Sequence, residues 1–244
     1  MCSSDLSPVW VSGERLDAPV EVRENGVRFE LRFCEGYSVG LFLDQRDNRR
    51  RLLTGHVAAG FPWESGGRRP KTLLNLFAYT CGFSVCAALG GMHTVSVDLS
   101  KKYLDWGRRQ FEINGISLDG HDFIFGDWLD WARRLARKGR TFDAVVVDPP
   151  TFSRSKAGGT FRAEADYGSL VASVMPLVAR DGVLFVSTNA ARWRPEHFVD
   201  VVEQAVSGSG RRVVHRHFVP QPPDFPVSRD EPAYLKTLWL RLGG

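Results

Sequence analysis

The sequence predicts an α/β fold: a doubly wound, mostly parallel sheet of seven strands with helices on both faces and a small β-hairpin extension ahead of it. Three observations predict it. From Lys71 onward short apolar runs alternate with helical segments, the rhythm of parallel strands joined by helical crossovers. The runs TLLNLF and FDAVVV are apolar at successive positions, as strands buried on both faces are. The strand ends fall on Asn75–Thr80, Asp98, Asp127, Asp148 and Thr188-Asn189, polar stops along the one rim where such sheets bind ligands.

In chain order, VEVRENGVRFELRF (Val20–Phe33) alternates apolar and polar residues around Asn25-Gly26, a pair that accepts the positive φ angles of a hairpin turn. GLFLDQRDNRRRLL (Gly40–Leu53) reads as a short strand running into a basic helix, and the Gly/Pro/Arg stretch Gly60–Pro70 as a linker. The expected division is therefore an extension over 1–69 and a sheet domain over 70–244. Within the latter, Thr72–Phe77 is a strand, Gly82–Leu89 a short helix and Thr94–Asp98 a strand. Ser100 can cap a helix reaching Asn114, where Asn114-Gly115 stops it. HDFIFGD is the third strand, Trp128–Lys138 a helix and Phe142–Asp148 the fourth strand. A loop and a helix over about 164–179 lead to GVLFVST. Then come the helix Pro195–Ser207 and two closing strands, RRVVHRHFV and YLKTLWLRL.

The 244-residue chain has length for one large core and carries a net charge of +4 with a pI of about 9.0. Its cations cluster at Arg49–Arg51, Arg68-Arg69, Arg133–Arg140 and Arg211–His217. Such clusters suit a polyanion, or are ordinary solvated faces. Cys2, Cys34, Cys81 and Cys86 show no paired metal spacing, and MCSSDLSPVW has neither the basic patch nor the apolar core of a secretory signal. No apolar run approaches the ~20 residues that span a bilayer. A reduced cytoplasmic protein without a metal is expected.

Asp98 can accept hydrogen bonds from a ribose diol, or cap the following helix. Asp127 can bind an adenine amino group with the Trp128 indole against the ring, or the pair can be a cap and a core aromatic. NLFAYTCGFS has neither the GxGxxG nor the GxxxxGK[ST] pattern, so pyrophosphate ligands are disfavoured against a nucleoside without phosphate. S-adenosylmethionine is the common one, and its positive charge suits a rim of carboxylates.

Together NLFAYTCGFSVCAALGG, VSVDLSKKYLDWGRRQFEINGI and FDAVVVDPPTFSRSK resemble the S-adenosylmethionine-dependent methyltransferases of large-subunit ribosomal RNA, a family that makes 5-methylcytosine or N7-methylguanine. ENGVRFELRF and GLFLDQRDNRR resemble that family's hairpin and the element before its core. The resemblance implies a class I, Rossmann-like methyltransferase fold, S-adenosylmethionine as cofactor and RNA as partner. It also implies cofactor contacts from the Asn75–Gly82 turn (Asn75, Phe77, Tyr79, Thr80, Gly82), from Asp98 with Ser100, and from Asp127 with Trp128. Phe42–Arg46 would fold over the cofactor, with Arg46 on the methionine carboxylate or else in a surface salt bridge to Asp44 or Asp47. Cys81 departs from the pattern, where glycine is usual.

The strand ending in Asp148-Pro149-Pro150 stops because proline fixes φ and removes backbone donors. Asp148 and the neighbouring carbonyls can then hold a planar base edge, with Phe152 stacked on the base. These four residues are the expected catalytic set. Carbon 5 of cytosine needs a cysteine nucleophile, and neither DPPTFS nor STNAARW contains one, whereas guanine N7 has an in-plane lone pair that needs only positioning. DPPTFS also resembles the guanine branch, so a guanine nitrogen is expected. The alternatives are a cytosine-C5 enzyme, or a methyltransferase of a small molecule or protein. The loop Ser153–Arg162 reads either as a lid placing Lys156 and Arg162 on phosphates or as plain surface, and Asn189 lies at the substrate side of the rim.

Overall fold

A computed structural model describes residues 12–14, 16–33, 38–64, 66–154, 160–225 and 227–243. The hairpin forms as its alternation predicts: β1 (Val20–Glu24) pairs antiparallel with β2 (Val27–Leu31), with Asn25 at φ 52° and Gly26 at φ 82° in the turn. The strand expected after Gly40 is absent. Gly40 sits at φ 109°, a single 3₁₀ turn spans Leu43–Gln45, and α1 (Arg46–Thr54) follows directly. A Cβ at Gly40 would come 2.4 Å from the Trp106 ring, so tertiary packing bends this segment where its apolar residues suggest extension.

The main sheet contains β3 (Thr72–Leu76), β4 (His93–Asp98), β5 (Asp122–Phe125), β6 (Phe142–Val147), β9 (Val178–Thr188), β10 (Arg212–Pro220) and β11 (Lys236–Gly243). They lie in the order β10-β11-β9-β6-β3-β4-β5, and only β11 runs against the others. The chain winds outward from β3 to β5 and then crosses back to β6, so the topological switch lies at β3 and β6. That is where doubly wound sheets open a crevice at the carboxyl ends of their strands.

Alternation across the pleat sends β-strand side chains into two cores. Leu74, Leu76, Val95, Val97, Val145 and Val147 face α4 (Trp128–Arg137), α5 (Ala163–Val174) and α6 (Pro195–Gly208). Leu73, Ala144 and Val146 face α1, α2 (Gly82–Leu89) and α3 (Lys101–Ile113). Val27, Phe29 and Leu31 of the hairpin join this second core. Arg49 of α1 ties the hairpin down: it is buried, donates to both carboxylate oxygens of Glu24 at 2.7 and 2.6 Å, and to the Phe42 carbonyl at 2.8 Å. Breaking such a buried pair by removing one partner costs about 3–5 kcal/mol.

Several of the clustered cations are thus spent internally. Arg51 donates to the Val57 and Asp47 carbonyls, and Arg211 to the carbonyls of Gly243, Val178, Ala179 and Arg180. The segment between Asp148 and α5 carries an element that its polar sequence does not announce, a ribbon of β7 (Phe152–Arg154) and β8 (Thr160–Arg162). Lys156 lies outside the described residues. Among the described residues no helix is long and apolar enough to cross a membrane, and no cluster of His, Cys, Asp and Glu is arranged to hold a metal.

Candidate active site

The turn after β3 is built from left-handed residues that are not glycine: Phe77 at φ 59°, Tyr79 at φ 48° and Cys81 at φ 63°. Such residues are uncommon and strained, and need outside support. Asp98 at the tip of β4 supplies part of it, its Oδ2 accepting from the Tyr79 N–H at 2.8 Å and its Oδ1 from the Ser100 N–H at 2.8 Å. Thr80 adds a bond from its hydroxyl to the Gly40 carbonyl at 2.6 Å, and Gly82 opens α2 against Leu41 and Arg49. Cys81 fits because Gly107 of α3 has no side chain: a Cβ there would lie 2.5 Å from the Cys81 Sγ.

Asp98 therefore braces this turn and does not cap the following helix, whose N-cap is Ser100. The carboxylate organises the turn and stays only partly buried at the rim, and each oxygen keeps a lone pair for a ligand diol. Burial lifts its pKa above the ordinary carboxylate range, and the two backbone N–H groups pull the other way. Ser100 caps α3, accepting from the Tyr103 N–H at 3.2 Å. Asp127 caps α4 through Leu129 and Asp130, at 2.9 and 3.3 Å.

Two residues of this turn, Phe77 and Tyr79, carry rings that pack on further aromatics. Phe42, 48% exposed, packs on Tyr79 with ring centroids 5.3 Å apart. Phe77 packs against Trp128 at 5.7 Å and against Phe161 of β8 at 6.2 Å. Phe161 is not among the residues the sequence singles out, because nothing in a polar loop marks one phenylalanine as the residue that turns inward. Asn75 is buried beneath α2, donating to the Ser84 hydroxyl at 2.9 Å. Arg46 donates to both oxygens of Asp224, with Asp47 at 3.9 Å. Its main partner is thus neither of the two nearby acids expected, but one 178 residues away.

Asp148 closes β6 and is the most perturbed acid of the rim. Its Oδ1 accepts a short hydrogen bond from the Ser187 hydroxyl, and its Oδ2 lies 3.3 Å from the Gln45 Nε2. Burial pushes its pKa up to about 6, against the lowering influence of the Ser187 hydroxyl. Gln45 is held in turn by Asn48, whose Nδ2 donates to Gln45 Oε1 at 2.8 Å, and Asn48 Oδ1 accepts from the Trp239 indole at 2.9 Å. Buried polar networks of this kind are rigid when satisfied. Pro149 is buried, while Pro150 and Phe152 are exposed beside the acid. Asn189 and Arg162 are exposed, on the segments following β9 and preceding α5. Sequence patterns give no sign of Gln45 or Ser187: a glutamine before a basic helix looks solvated, and Ser187 precedes the stop at Thr188 by one position.

The rim thus joins a diol acceptor, aromatic faces and a rigidly held acid beside a Pro-Pro turn. This donor set fits S-adenosylmethionine, which presents a ribose diol, a flat adenine and a sulfonium. The family model of the S-adenosylmethionine-dependent methyltransferases matches residues 2–241. Ribosomal RNA large subunit methyltransferase I of Aeromonas salmonicida is 34% identical over 236 residues, 95% of this chain and 56% of that protein. Ribosomal RNA large subunit methyltransferase K of Neisseria meningitidis serogroup B is 38% identical over 170 residues, 69% of this chain and 45% of that protein. The chain thus spans about half the length of these relatives. The solved structure of SMU.776 complexed with SAH superposes with a TM-score of 0.82 at 30% identity, over 95% of this chain and 58% of that one. By its fold, the chemistry of its rim and a match over nearly its whole length, the chain belongs to the S-adenosylmethionine-dependent methyltransferase family.

Proposed function

We propose that the protein transfers a methyl group from S-adenosylmethionine to a guanine nitrogen of large-subunit ribosomal RNA, in the cytoplasm. The observation that carries this reading is the fixed Asp148 carboxylate at the head of a Pro-Pro turn, with no cysteine in DPPTFS or STNAARW. Cys81 and Cys86 are buried, and burial pushes both thiols up to about 12, far from a nucleophilic thiolate. Chemistry that needs only alignment fits such a site better than chemistry that needs covalent activation. The names of the Aeromonas and Neisseria relatives support RNA as the substrate.

Asp98 and Ser100 would hold the ribose, and Asp127, Trp128 and Phe77 the adenine. The Asn75–Gly82 turn and Phe42 would enclose the amino-acid tail, with Arg46 exchanging Asp224 for the methionine carboxylate. Bound there, S-adenosylmethionine supplies an electrophilic methyl group. Asp148 accepts from the N–H edge of the base, Pro149 and Pro150 fix the approach, Phe152 stacks on the ring, and Lys156, Arg162 and Asn189 hold the flanking nucleotide. Nucleoside mass spectrometry of ribosomal RNA from a deletion strain tests this: one methylguanosine should disappear. Loss of 5-methylcytidine would replace guanine by cytosine, and an unchanged profile would sink the RNA reading.

A further inference from the structure

Lys236, at the start of β11, is only 2% exposed, yet no carboxylate pairs with it among the described residues. Its ammonium donates to the Ala190 carbonyl at 2.8 Å and the Tyr234 carbonyl at 2.9 Å. A buried ammonium without a counter-ion is expensive, so what it holds matters. It holds the loop that leaves β9 after Thr188, one residue beyond Ser187, which is bonded to Asp148.

The loop is pinned at three more points. The Ala190 N–H donates to Thr188 Oγ1 at 3.2 Å, the Trp193 N–H to the Ala190 carbonyl at 3.1 Å, and the Trp193 ring is buried 5.9 Å from Tyr167. With Ala190 and Trp193 turned inward, Asn189, Arg192 and Arg194 are left exposed. Neither arginine has a side-chain hydrogen bond or ion pair among the described residues, in contrast to Arg49, Arg51 and Arg211. Arg194 also occupies the N-cap of α6 with no capping bond, where the helix dipole disfavours a cation and Ser, Thr, Asp or Asn is preferred. Local stability does not account for that choice.

We infer that the Asn189–Arg194 loop is a rigid phosphate-binding platform for the substrate RNA, with Arg192 and Arg194 on phosphates flanking the target nucleotide and Lys236 holding the loop in register. This rests on the RNA reading above. Guanidinium groups bind phosphate oxygens through paired N–H donors, and a loop already ordered loses little entropy on binding.

The test is equilibrium binding of the full chain to a labelled transcript of large-subunit ribosomal RNA across a salt series. In the double variant Arg192→Gln/Arg194→Gln, affinity near ~0.1 M salt should fall about tenfold or more. The slope of log K against log salt should flatten by about 1.4, at about 0.7 for each phosphate no longer neutralised. Lys236→Met keeps the volume and removes the ammonium; binding should weaken several-fold with the slope unchanged, because Lys236 touches the loop and no phosphate. S-adenosylmethionine binding, followed by calorimetry, should be unaltered in the arginine variant, whose changes are both at exposed positions. Unchanged affinity and slope in that variant overturn the platform and leave the RNA reading standing. Wild-type protein that binds no RNA overturns both. A flatter slope in Lys236→Met overturns its purely positional part.

Discussion

Gln45 places its side-chain amide 3.3 Å from the Asp148 carboxylate, across 103 residues of sequence, and the same amide nitrogen lies 3.3 Å from the Ser187 hydroxyl. The acid at the tip of the deepest strand is therefore oriented by an element that lies before the sheet begins. Gln45→Leu should lower turnover about tenfold or more while leaving S-adenosylmethionine affinity within a few-fold. Removing this donor should also move the acid limb of the pH–rate profile upward, because hydrogen bonds to a carboxylate favour its charged form. A merely structural role would leave that limb in place.

Asp148 titrates near 6 in the folded chain, against about 3.9 for an unperturbed aspartate. A carboxyl whose folded pKa is raised penalises folding once it ionises. Its penalty is absent below about pH 4, develops as pH rises, and is complete above about 6. The full effect is about 3 kcal/mol. Asp148→Asn should accordingly gain stability on wild type between pH 4 and 7, as read from urea midpoints, while turnover falls to background. Parallel stability curves would remove the carboxyl from its buried setting, and full activity would refute its positioning role.

Asp98 both props the strained turn and presents its oxygens at the rim. Asp98→Ala should weaken S-adenosylmethionine binding about tenfold or more, which is about 1.4 kcal/mol. The chain should stay folded by circular dichroism. Unchanged affinity in calorimetry would strike the residue from the cofactor site.

Cys81 and Gly107 are a matched pair: the first is strained at φ 63°, and the second leaves the space its sulfur fills. Gly107→Ala should cost about 1–3 kcal/mol or more by overpacking. Adding Cys81→Gly should recover much of it, since glycine accepts the left-handed backbone. Thermal melts of the double-mutant cycle check the coupling. Cys81→Ser should keep activity, and an inactive variant would return the cytosine-C5 reaction to consideration.

Most of the fold was legible in the chain. The apolar runs of β3 and β6, the alternation around Asn25-Gly26 and the caps at Ser100 and Asp127 are local patterns, and local chemistry realises them. The rim acids were legible for the same reason, as each ends an apolar run. The exception among the expected strands is the segment after Gly40, where Trp106 occupies the space a side chain would need and the chain turns.

Which partner a polar group meets across the sequence was decided by tertiary structure. Gln45, Ser187 and Asp148 converge from three elements, Arg46 reaches Asp224 across 178 residues, and Lys236 is buried against carbonyls. No spacing rule encodes such meetings, because hydrogen bonds and ion pairs depend on distance in space. Periodicity reports only whether a side chain faces core or solvent. The sequence by itself determined the layers and the acids along their rim. Packing determined which distant groups meet those acids, and so brought Gln45 and Ser187 onto Asp148.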